Sequence, residues 1–344
     1  MHILLIGGTQ FLGRHVAAAA LARGHEVTLF HRGHHPHPGT LGPVREILGD
    51  RHHDLHRLAG RRWDAVVDTC GYLPGAVRAA ARALRPVVGQ YVFISSVAAY
   101  ADFSQPGYAE IAQLAALNPA QAAALAPAAD LTASSLGDLY GALKAACERE
   151  VSQVFGANAL LLRPGVLVGP HDPTDRLTYW LSRLARGGEV LAPGRPQRFV
   201  QLLDARDLAA WLIAMLEQGT GGAFNAASPP FSLTMEQLLT EAQALTHQQA
   251  TLTWVSEGFL RREAVAEWSE LPLYLAESGE DRGFLAADTD KALRHNLVTR
   301  SLADTMRDTL TWRRPDPAPL RAGLAAGRER ELLRRWHATQ PPGA

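Results

Sequence analysis

Residues 3–13 have the sequence Ile-Leu-Leu-Ile-Gly-Gly-Thr-Gln-Phe-Leu-Gly, and this stretch is the strongest indication of the fold class. The apolar run predicts a strand that turns directly into glycines. An alanine-rich stretch over 14–23 predicts a helix that Gly24 would end, and residues 27–30 predict a second strand. Strand, glycine turn, helix and strand are the context of a dinucleotide-binding turn. In such a turn glycines let the backbone approach a pyrophosphate, and the helix amino terminus donates N–H groups to it.

Further apolar runs extend this unit. Strands are predicted over 44–48, 65–68 and 91–94, with a helix over 76–84. The alternation predicts an α/β fold, a Rossmann-type doubly wound parallel sheet with a smaller C-terminal substrate domain. Ligands bind at the carboxyl ends of such strands, so we expect Ser96 to face the crevice. The alternative is a serine that only ends a buried strand and caps a turn.

Composition narrows the function classes. The 344 residues contain 34 basic and 34 acidic residues, so nothing indicates a surface for nucleic acid or an anionic membrane. Two cysteines offer no disulfide framework and fit a reducing compartment. No apolar run is long enough for a signal-peptide core or a membrane span. We therefore expect a cytoplasmic protein that binds neither nucleic acid nor membrane.

Lysine is rare in this chain, where only Lys144 and Lys291 accompany 32 arginines. Lys144 follows Tyr140 by four residues, so on a helix the two side chains would share a face. An ammonium there would favour tyrosinate and lower the phenol pKa from about 10 towards 7. The pair would then form an acid/base for proton transfer at neutral pH. The alternative is an incidental pair on a surface helix.

The residues after the second strand bear on the choice of cofactor. An acidic residue there would bond the adenosine ribose and indicate NAD. This chain has His31-Arg32-Gly33 instead, with no carboxylate before Glu46. Arg32 could pair with a 2′-phosphate, so NADP is favoured over NAD. The alternative is a solvated arginine beside a tolerant NAD site.

These segments together resemble the short-chain dehydrogenase/reductase superfamily, in its extended branch, the NAD-dependent epimerase/dehydratase family. The resemblance spans roughly residues 1 to 312. It is carried, in chain order, by residues 7–13, 93–100, 140–144, 162–170, 198–208, 224–226 and 232–234.

The resemblance implies a set of roles. Tyr140 would exchange a proton with a substrate hydroxyl or carbonyl, and Ser96 would hydrogen-bond the same oxygen. Lys144 would bind the nicotinamide ribose and keep the tyrosine acidic. Asp50 and Arg51 would recognise the adenine. The other residues implied to contact the cofactor, NAD(P), are Gly7, Thr9, Gln10, Phe11, Leu12, Gly13, His31, Arg32, Cys70, Gly71, Arg163 and Pro164.

Three features depart from the family pattern. Gln10 replaces the middle glycine of the turn, as in an outlying set of relatives that includes non-catalytic and RNA-associated proteins. Residues 68–72 read Asp-Thr-Cys-Gly-Tyr in place of a small apolar run, and Tyr72 is a candidate substrate residue. The separation between Ser96 and Tyr140 is long, and the additional residues, 101–135, are expected to form a lid, with a binding loop or disorder as alternatives.

The domain organisation is expected to follow the family. Residues 1–170 would form the dinucleotide-binding domain, with 200–226 returning to it, and 171–199 with 227–312 would bind substrate. Residues 313–344 would form a tail, either a docked amphipathic helix or a mobile segment. His171 follows residues 162–170, which resemble the family's strand beside the nicotinamide, so His171 could line the substrate pocket. Arg198 could clamp a phosphate or carboxylate.

A metal site is not expected, although seven histidines lie close together in sequence, and the cofactor needs none. Three of these histidines fall in one loop rich in glycine and proline. The seven are His31, His34, His35, His37, His52, His53 and His56.

The sequence thus predicts an NAD(P)-dependent oxidoreductase or epimerase that acts on a hydroxyl or carbonyl of a small organic or sugar-type substrate. The first alternative is a catalytically silent NAD(P)-binding protein, either a redox sensor or an RNA-associated relative. The retained Ser96, Tyr140 and Lys144 argue against it. A nucleotide-sugar dehydratase ranks third, because Val97 and Ala98 stand where carboxylates are usual. The resemblance also allows a homodimer.

Overall fold

The computed structural model describes residues 1–35, 42–118, 120–121, 133–246, 249–314 and 318–340. Its main sheet has seven parallel strands in the order β3-β2-β1-β4-β5-β6-β10, and two smaller sheets pair β8 with β11 and β7 with β9. The strands are β1 His2–Ile6, β2 Glu26–His31, β3 Arg45–Leu48, β4 Trp63–Asp68, β5 Val88–Ile94, β6 Ala159–Pro164, β7 Val166–Val168, β8 Gly188–Pro193, β9 Leu202–Asp204, β10 Gly222–Ala226 and β11 Ala250–Val255.

Helices cover both faces of the main sheet. α1 and α6 pack on one face, and α2 and α4 on the other. The α-helices are α1 Phe11–Ala22, α2 Pro74–Leu84, α3 Ala133–Leu136, α4 Tyr140–Phe155, α5 Arg176–Leu184, α6 Ala205–Glu217, α7 Met235–Thr246, α8 Glu257–Arg262, α9 Asp290–Arg294, α10 Leu302–Arg313 and α11 Ala326–Ala338.

The central strands are buried on both faces, which explains their continuous apolar sequences. Residues 3–6 of β1 are buried, and Ile3 to Ile6 pair in parallel with Ala65 to Asp68 of β4. Strand order reverses between β1 and β4, because β2 lies on one side of β1 and β4 on the other. In doubly wound sheets this reversal opens the crevice that receives ligands.

A second core lies among α5, α7, β8 and the C-terminal helix α11. Trp180, Leu238 and Leu332 are fully buried in it. The ion pair between Arg183 of α5 and Glu329 of α11 is also buried, at 2.6 Å. Residues 326–338 therefore form a docked amphipathic helix, the first of the two arrangements considered for the tail.

The first half of the predicted lid packs on the body of the protein. Backbone hydrogen bonds run from Gly107 to Ala286, from Gly283 to Phe103 and from Asp288 to Tyr108, at 2.7–3.1 Å. The aromatic rings of Phe103 and Phe284 meet at 5.0 Å. Residues 103–108 are therefore held against residues 283–288, and the lid over residues 101–135 stays a prediction. Residue 119 and residues 122–132 lie outside the described residues.

Among the described helices, none has both the length and the apolar character needed to cross a membrane.

Candidate functional site

The glycine turn between β1 and α1 brings the helix amino terminus against the turn backbone. Gly7 and Gly8 have φ of +96° and +91°, where side chains are strained. A β-carbon on Gly13 would lie 2.6 Å from the α-carbon of Gly8, so only glycine lets α1 begin here. Gln10 occupies the N-cap position of α1, but its side chain makes no capping hydrogen bond, and the first turn of the helix carries no acidic residue. The first N–H groups of α1 therefore suit a pyrophosphate.

A cleft of about 640 Å³ extends from this turn along the carboxyl ends of the strands. Its volume lies in the range of small-molecule sites. The predicted residues that line it are Gly7, Thr9, Gln10, Phe11, Leu12, Gly13, His31, Arg32, Asp50, Arg51, Cys70 and Tyr72.

His31 ends β2 at the point where an NAD site would carry an acid. The Gly33 N–H donates to its Nδ1 at 3.1 Å, so the proton is on Nε2, which donates to Glu46 at 2.9 Å. The first carboxylate after β2 is therefore bound to His31. Asp50 also bonds locally, because its carboxylate accepts the N–H of His52 at 2.8 Å.

Arg51 is anchored below the cleft by Asp68. Both Nη atoms donate to the carboxylate at 2.8 Å, and the Tyr91 hydroxyl donates to the same carboxylate at 2.8 Å. Burial acts to raise the pKa of Asp68, but the charge and hydrogen bonds of Arg51 outweigh burial, so this pKa is lowered. The Nε of Arg51 is buried and has no hydrogen-bond partner among the described residues. Arg51 thus keeps a buried donor unsatisfied while it lines the cleft.

Ser96 and Tyr140 come together at the carboxyl end of β5. Ser96 accepts the N–H of Ala98 at 3.1 Å, which holds the short turn Val97–Ala99, and its hydroxyl lies close enough to the Tyr140 phenol to act on the phenol pKa. Gly141 makes this possible, because a β-carbon there would lie 1.9 Å from the Ala98 carbonyl oxygen. The structure therefore joins the two hydroxyls that the sequence singled out. It also adds Gly141, whose only sequence signal is a glycine inside a helix.

The expected effect of Lys144 on Tyr140 is corrected by the structure. Burial raises the pKa of Tyr140, and the nearby Ser96 hydroxyl and the charge of Arg176 oppose this without overcoming it. The Lys144 ammonium is itself buried and donates to the carbonyls of Gly71 and Ile94 at 2.9 and 2.5 Å. The Lys144 ammonium therefore links Gly71, which follows β4, to Ile94 at the end of β5. It does not lower the pKa of the Tyr140 phenol below its ordinary value. Burial also lowers the pKa of Lys144.

Lys144 nevertheless lies next to the cleft. Its Nζ is 4.4 Å from the ring centroid of Phe93 and 5.3 Å from that of Tyr72, which lines the cleft. Gly71, which accepts its hydrogen bond, stands between two cleft-lining residues, Cys70 and Tyr72.

Arg176 is a charged neighbour of Tyr140 that the sequence analysis did not select. Its guanidinium lies 4.6 Å from the ring centroid of Trp268, and its charge is close enough to Tyr140 to act on the phenol pKa. The available signal was its position at the end of the segment 171–176, directly after the strand beside the predicted nicotinamide site.

Comparison with known proteins supports this architecture. Residues 73–227 match the NAD dependent epimerase/dehydratase family. This part of the chain belongs to that family. The superfamily expected from the sequence is confirmed, and so is the kinship to NAD-dependent enzymes.

Solved structures of this epimerase/dehydratase fold align over nearly the whole chain. UDP-N-acetylglucosamine 4-epimerase from Bacillus cereus is 19% identical with a TM-score of 0.63, and covers 93% of this chain and 99% of its own. UDP-glucuronic acid 4-epimerase from Bacillus cereus, in complex with NAD, is 16% identical with a TM-score of 0.64, over 92% and 99%. WbmH from Bordetella bronchiseptica, in complex with NAD+, is 15% identical with a TM-score of 0.65, over 92% and 99%. At these identities the likeness establishes the fold, which confirms the doubly wound sheet.

Another relative is named as a stem-loop binding protein and not as an epimerase. The chloroplast stem-loop binding protein of 41 kDa b from Arabidopsis thaliana is 24% identical over 253 residues, which are 69% of this chain. The match spans 60% of that protein's own length.

Several residues expected from the epimerase/dehydratase pattern lie elsewhere. Arg163 is buried against Glu148 at 2.7 Å and donates to the Tyr100 hydroxyl at 2.8 Å. Arg198 donates to the carbonyls of Leu273 and Leu275 at 2.9 Å. Both guanidinium groups are bound by the protein itself, so we withdraw both residues from the candidate ligand contacts.

Two further expected residues are placed beside the site. His171 lies between His15 and Trp312, at ring distances of 6.0 and 5.2 Å, and burial lowers its pKa to about 4. It is therefore neutral at pH 7 and packs against other rings. Pro164 ends β6, where it pairs in register with Ala226 of β10, and is not among the residues that line the cleft.

In the described part of the chain, no three histidine, cysteine or acidic side chains come together as a metal site. His37, one of the clustered histidines, lies outside the described residues.

Proposed function

We propose that this protein is an NAD(P)-dependent oxidoreductase or epimerase that acts on a hydroxyl or carbonyl of a small organic or sugar-type substrate. The observation that carries the proposal is the proximity of Ser96 and Tyr140 at the carboxyl end of β5, because β5 is the neighbour of β4, whose carboxyl end borders the cleft. Family membership adds support, since the family name states NAD dependence.

The cleft has the features that a dinucleotide needs. The turn over residues 7–13 offers an uncapped helix amino terminus to the pyrophosphate, and Asp50 and Arg51 lie at the adenine end. A bound nicotinamide dinucleotide supplies a hydride donor and acceptor.

Tyr140 is the proton donor and acceptor in this proposal. Because burial raises its pKa, the phenol is protonated at neutral pH and can give its proton to a substrate carbonyl oxygen. The Ser96 hydroxyl orients that oxygen, and the charge of Arg176 lowers the cost of the phenolate left behind. Lys144 is a positioning residue, since it holds the strand ends at Gly71 and Ile94.

NADP is the favoured cofactor. Arg32 lines the cleft directly after β2, and the first carboxylate that follows β2 in the chain, Glu46, is bound to His31. A guanidinium at this position would attract the additional phosphate of NADP and gives no advantage to the free ribose of NAD. As partners we propose the small-molecule substrate and, from the family resemblance, a second copy of the chain.

A second candidate function is binding of an RNA stem-loop, with no catalysis. It is favoured by the name of the Arabidopsis relative and by Gln10 in the glycine turn. The formal net charge of zero argues against it, because RNA binding depends on basic surface. A labelled stem-loop RNA titrated with the protein at 50 and 200 mM salt would test it, and tight, salt-dependent binding would favour this candidate.

The first proposal is tested with carbonyl compounds and sugar nucleotides offered to the wild type and to Tyr140→Phe. We expect Tyr140→Phe to lower kcat by about 10²- to 10⁴-fold, the usual contribution of a general acid, with NADPH affinity unchanged. Tyr179→Phe, in the second core, is the matched control and should keep full activity. Equal turnover by wild type and Tyr140→Phe would remove the tyrosine from the mechanism.

A further inference from the structure

A cavity of about 590 Å³ lies between the end of α5, the first residues of β8 and the C-terminal helix α11. It shares no lining residue with the dinucleotide cleft. We propose that this cavity, here called the C-terminal groove, binds a compact anion with several phosphate groups, that is, an inorganic or organic oligophosphate. The inference goes beyond the proposed function, because it concerns a ligand other than the cofactor and the substrate.

The floor of the groove is an ion pair that the protein satisfies by itself. The Arg183 Nε donates to the Glu329 carboxylate at 2.6 Å, and both side chains are buried. The Nη atoms of Arg183 donate to the carbonyls of Gly187 and Glu189. The second oxygen of Glu329 accepts the N–H of Leu191 at 3.2 Å. These bonds fix the shape of the floor, and the charges of Arg183 and Glu329 balance each other.

Further arginines line the groove from two different elements. Arg186 follows α5, while Arg330 and Arg334 lie one turn apart on α11 and so share a face of that helix. Arg334 forms an ion pair with Glu331 at 2.8 Å. Arg186 and Arg330 are exposed, and neither side chain forms an ion pair or hydrogen bond with any residue that the structure describes. Two guanidinium groups of the groove are therefore available to a ligand.

The acidic residues that line the groove do not compensate these two arginines. Glu329 is bound to Arg183, and Glu189 accepts from the Thr253 hydroxyl and contacts the His337 ring, both at 2.6 Å. Four arginines and two glutamates line the groove, so a net positive charge of two remains when His337 is neutral. The whole chain has a formal net charge of zero, so this surplus is local. A concave surface with one sign of charge concentrates ions of the opposite sign.

The geometry favours an anion with more than one phosphate group. A guanidinium recognises a phosphate by two parallel hydrogen bonds, and a ligand with several phosphates offers a separate pair of oxygens to Arg186 and to Arg330. Gly187 and Gly188 line the groove with φ of +67° and +70°, so no side chain stands between the ligand and this backbone. The volume lies in the range of small-molecule sites, which favours a compact ligand.

The test measures binding of tripolyphosphate and orthophosphate to the NADPH-saturated full-length protein by calorimetry. We expect one tripolyphosphate to bind per chain, at least about 10-fold more tightly than orthophosphate, because only the longer anion can reach both free arginines. Arg186→Gln and Arg330→Gln should each weaken this binding by at least about 10-fold and leave NADPH affinity unchanged. Arg82→Gln is the matched control, since Arg82 is also an exposed arginine without a described ion pair, and it should bind as the wild type does.

ATP in place of tripolyphosphate distinguishes the two sources of this chemistry. Binding of ATP at least about 10-fold more tightly identifies a nucleotide as the ligand, whereas equal or weaker binding identifies the free oligophosphate, and both results uphold the site. Gly13→Val, which blocks the cofactor turn, should bind tripolyphosphate as the wild type does. Failure of the protein to bind NADPH would therefore reject the proposed function and leave the groove testable.

Three results would overturn the inference. The first is a wild type that does not bind tripolyphosphate, and the second is orthophosphate binding as tightly as tripolyphosphate. The third is unchanged tripolyphosphate affinity in Arg186→Gln and Arg330→Gln, which would place the anion outside the groove.

Discussion

Gly141 lies so close to Ala98 that a β-carbon on the glycine would come within 1.9 Å of the alanine carbonyl oxygen. This backbone contact lets the first turn of α4 pack on the turn that Ser96 caps. The adjacent Tyr140 thereby lies close enough to the Ser96 hydroxyl for Ser96 to act on its pKa. A residue with no side chain of its own thus sets the geometry of the proposed acid/base pair.

We expect Gly141→Ala to separate Ser96 from Tyr140. The methyl group cannot be accommodated without moving α4, so we expect a loss of about 1–3 kcal/mol in the free energy of unfolding and a fall in kcat. Gly75→Ala is the matched control, because Gly75 is also helical and a β-carbon there meets no atom within 4 Å. It should stabilise the protein by about 0.4–1 kcal/mol. Urea unfolding of both variants measures this, and equal stability changes would contradict it.

The two lysines provide a second comparison. Lys144 donates to Gly71 and Ile94, while Lys291 donates to Ala223 at 2.6 Å and lies 4.1 Å from the Phe224 ring centroid.

Lys144→Met and Lys291→Met should each lose about 1–3 kcal/mol of stability, because buried or half-buried carbonyls lose their donor. Only Lys144→Met should also weaken NADPH binding, since only Lys144 lies at the cleft. Denaturant melts and fluorescence titrations separate the two effects. Unchanged NADPH affinity in Lys144→Met would show that this lysine has a purely structural role.

Sequence reasoning succeeded where the signal was local. The strand, the glycines at 7, 8 and 13 and the helix after them are contiguous, and each has a direct conformational reason. The position of Ser96 at the crevice followed from the rule that ligands bind at the carboxyl ends of parallel strands, whereas its pairing with Tyr140, on a helix, was implied only by the family resemblance.

Sequence reasoning failed where burial or a distant partner decides. The pKa of Tyr140 has the opposite direction from that expected, because desolvation exceeds the influence of its neighbours. Arg163 and Arg198 are charged residues near the expected site, but Glu148 and the carbonyls of Leu273 and Leu275 bind them. No spacing in the sequence brings these partners together, since Leu273 lies 75 residues from Arg198.

Asp172 gives a pH-dependent prediction. Burial raises its pKa to about 6, above the roughly 3.9 of an unfolded chain. The proton is therefore held more tightly in the folded state, and its stabilising contribution is complete below pH 4 and is lost as pH rises through about 6.

We expect the stability difference between wild type and Asp172→Asn to change by up to about 3 kcal/mol between pH 4 and pH 7.5, in favour of the variant at the higher pH. Chemical unfolding across this range measures it. Asp281→Asn, on an exposed loop, is the control and should follow the wild type. A difference that stays constant with pH would show that the Asp172 carboxylate is compensated by a partner.

The proposed function depends on binding of a nicotinamide dinucleotide in the cleft between the glycine turn and Asp50. Fluorescence titration of the purified protein with NADPH and NADH tests it most directly, with Gly13→Val to block the turn, Arg32→Ala to remove the 2′-phosphate contact and Arg82→Ala as an exposed control. We predict that the wild type and Arg82→Ala bind both cofactors and bind NADPH more tightly, that Arg32→Ala loses this preference, and that folded Gly13→Val binds neither. A wild type that binds neither cofactor, or a Gly13→Val variant that binds them as the wild type does, would rule out this cleft as the cofactor site.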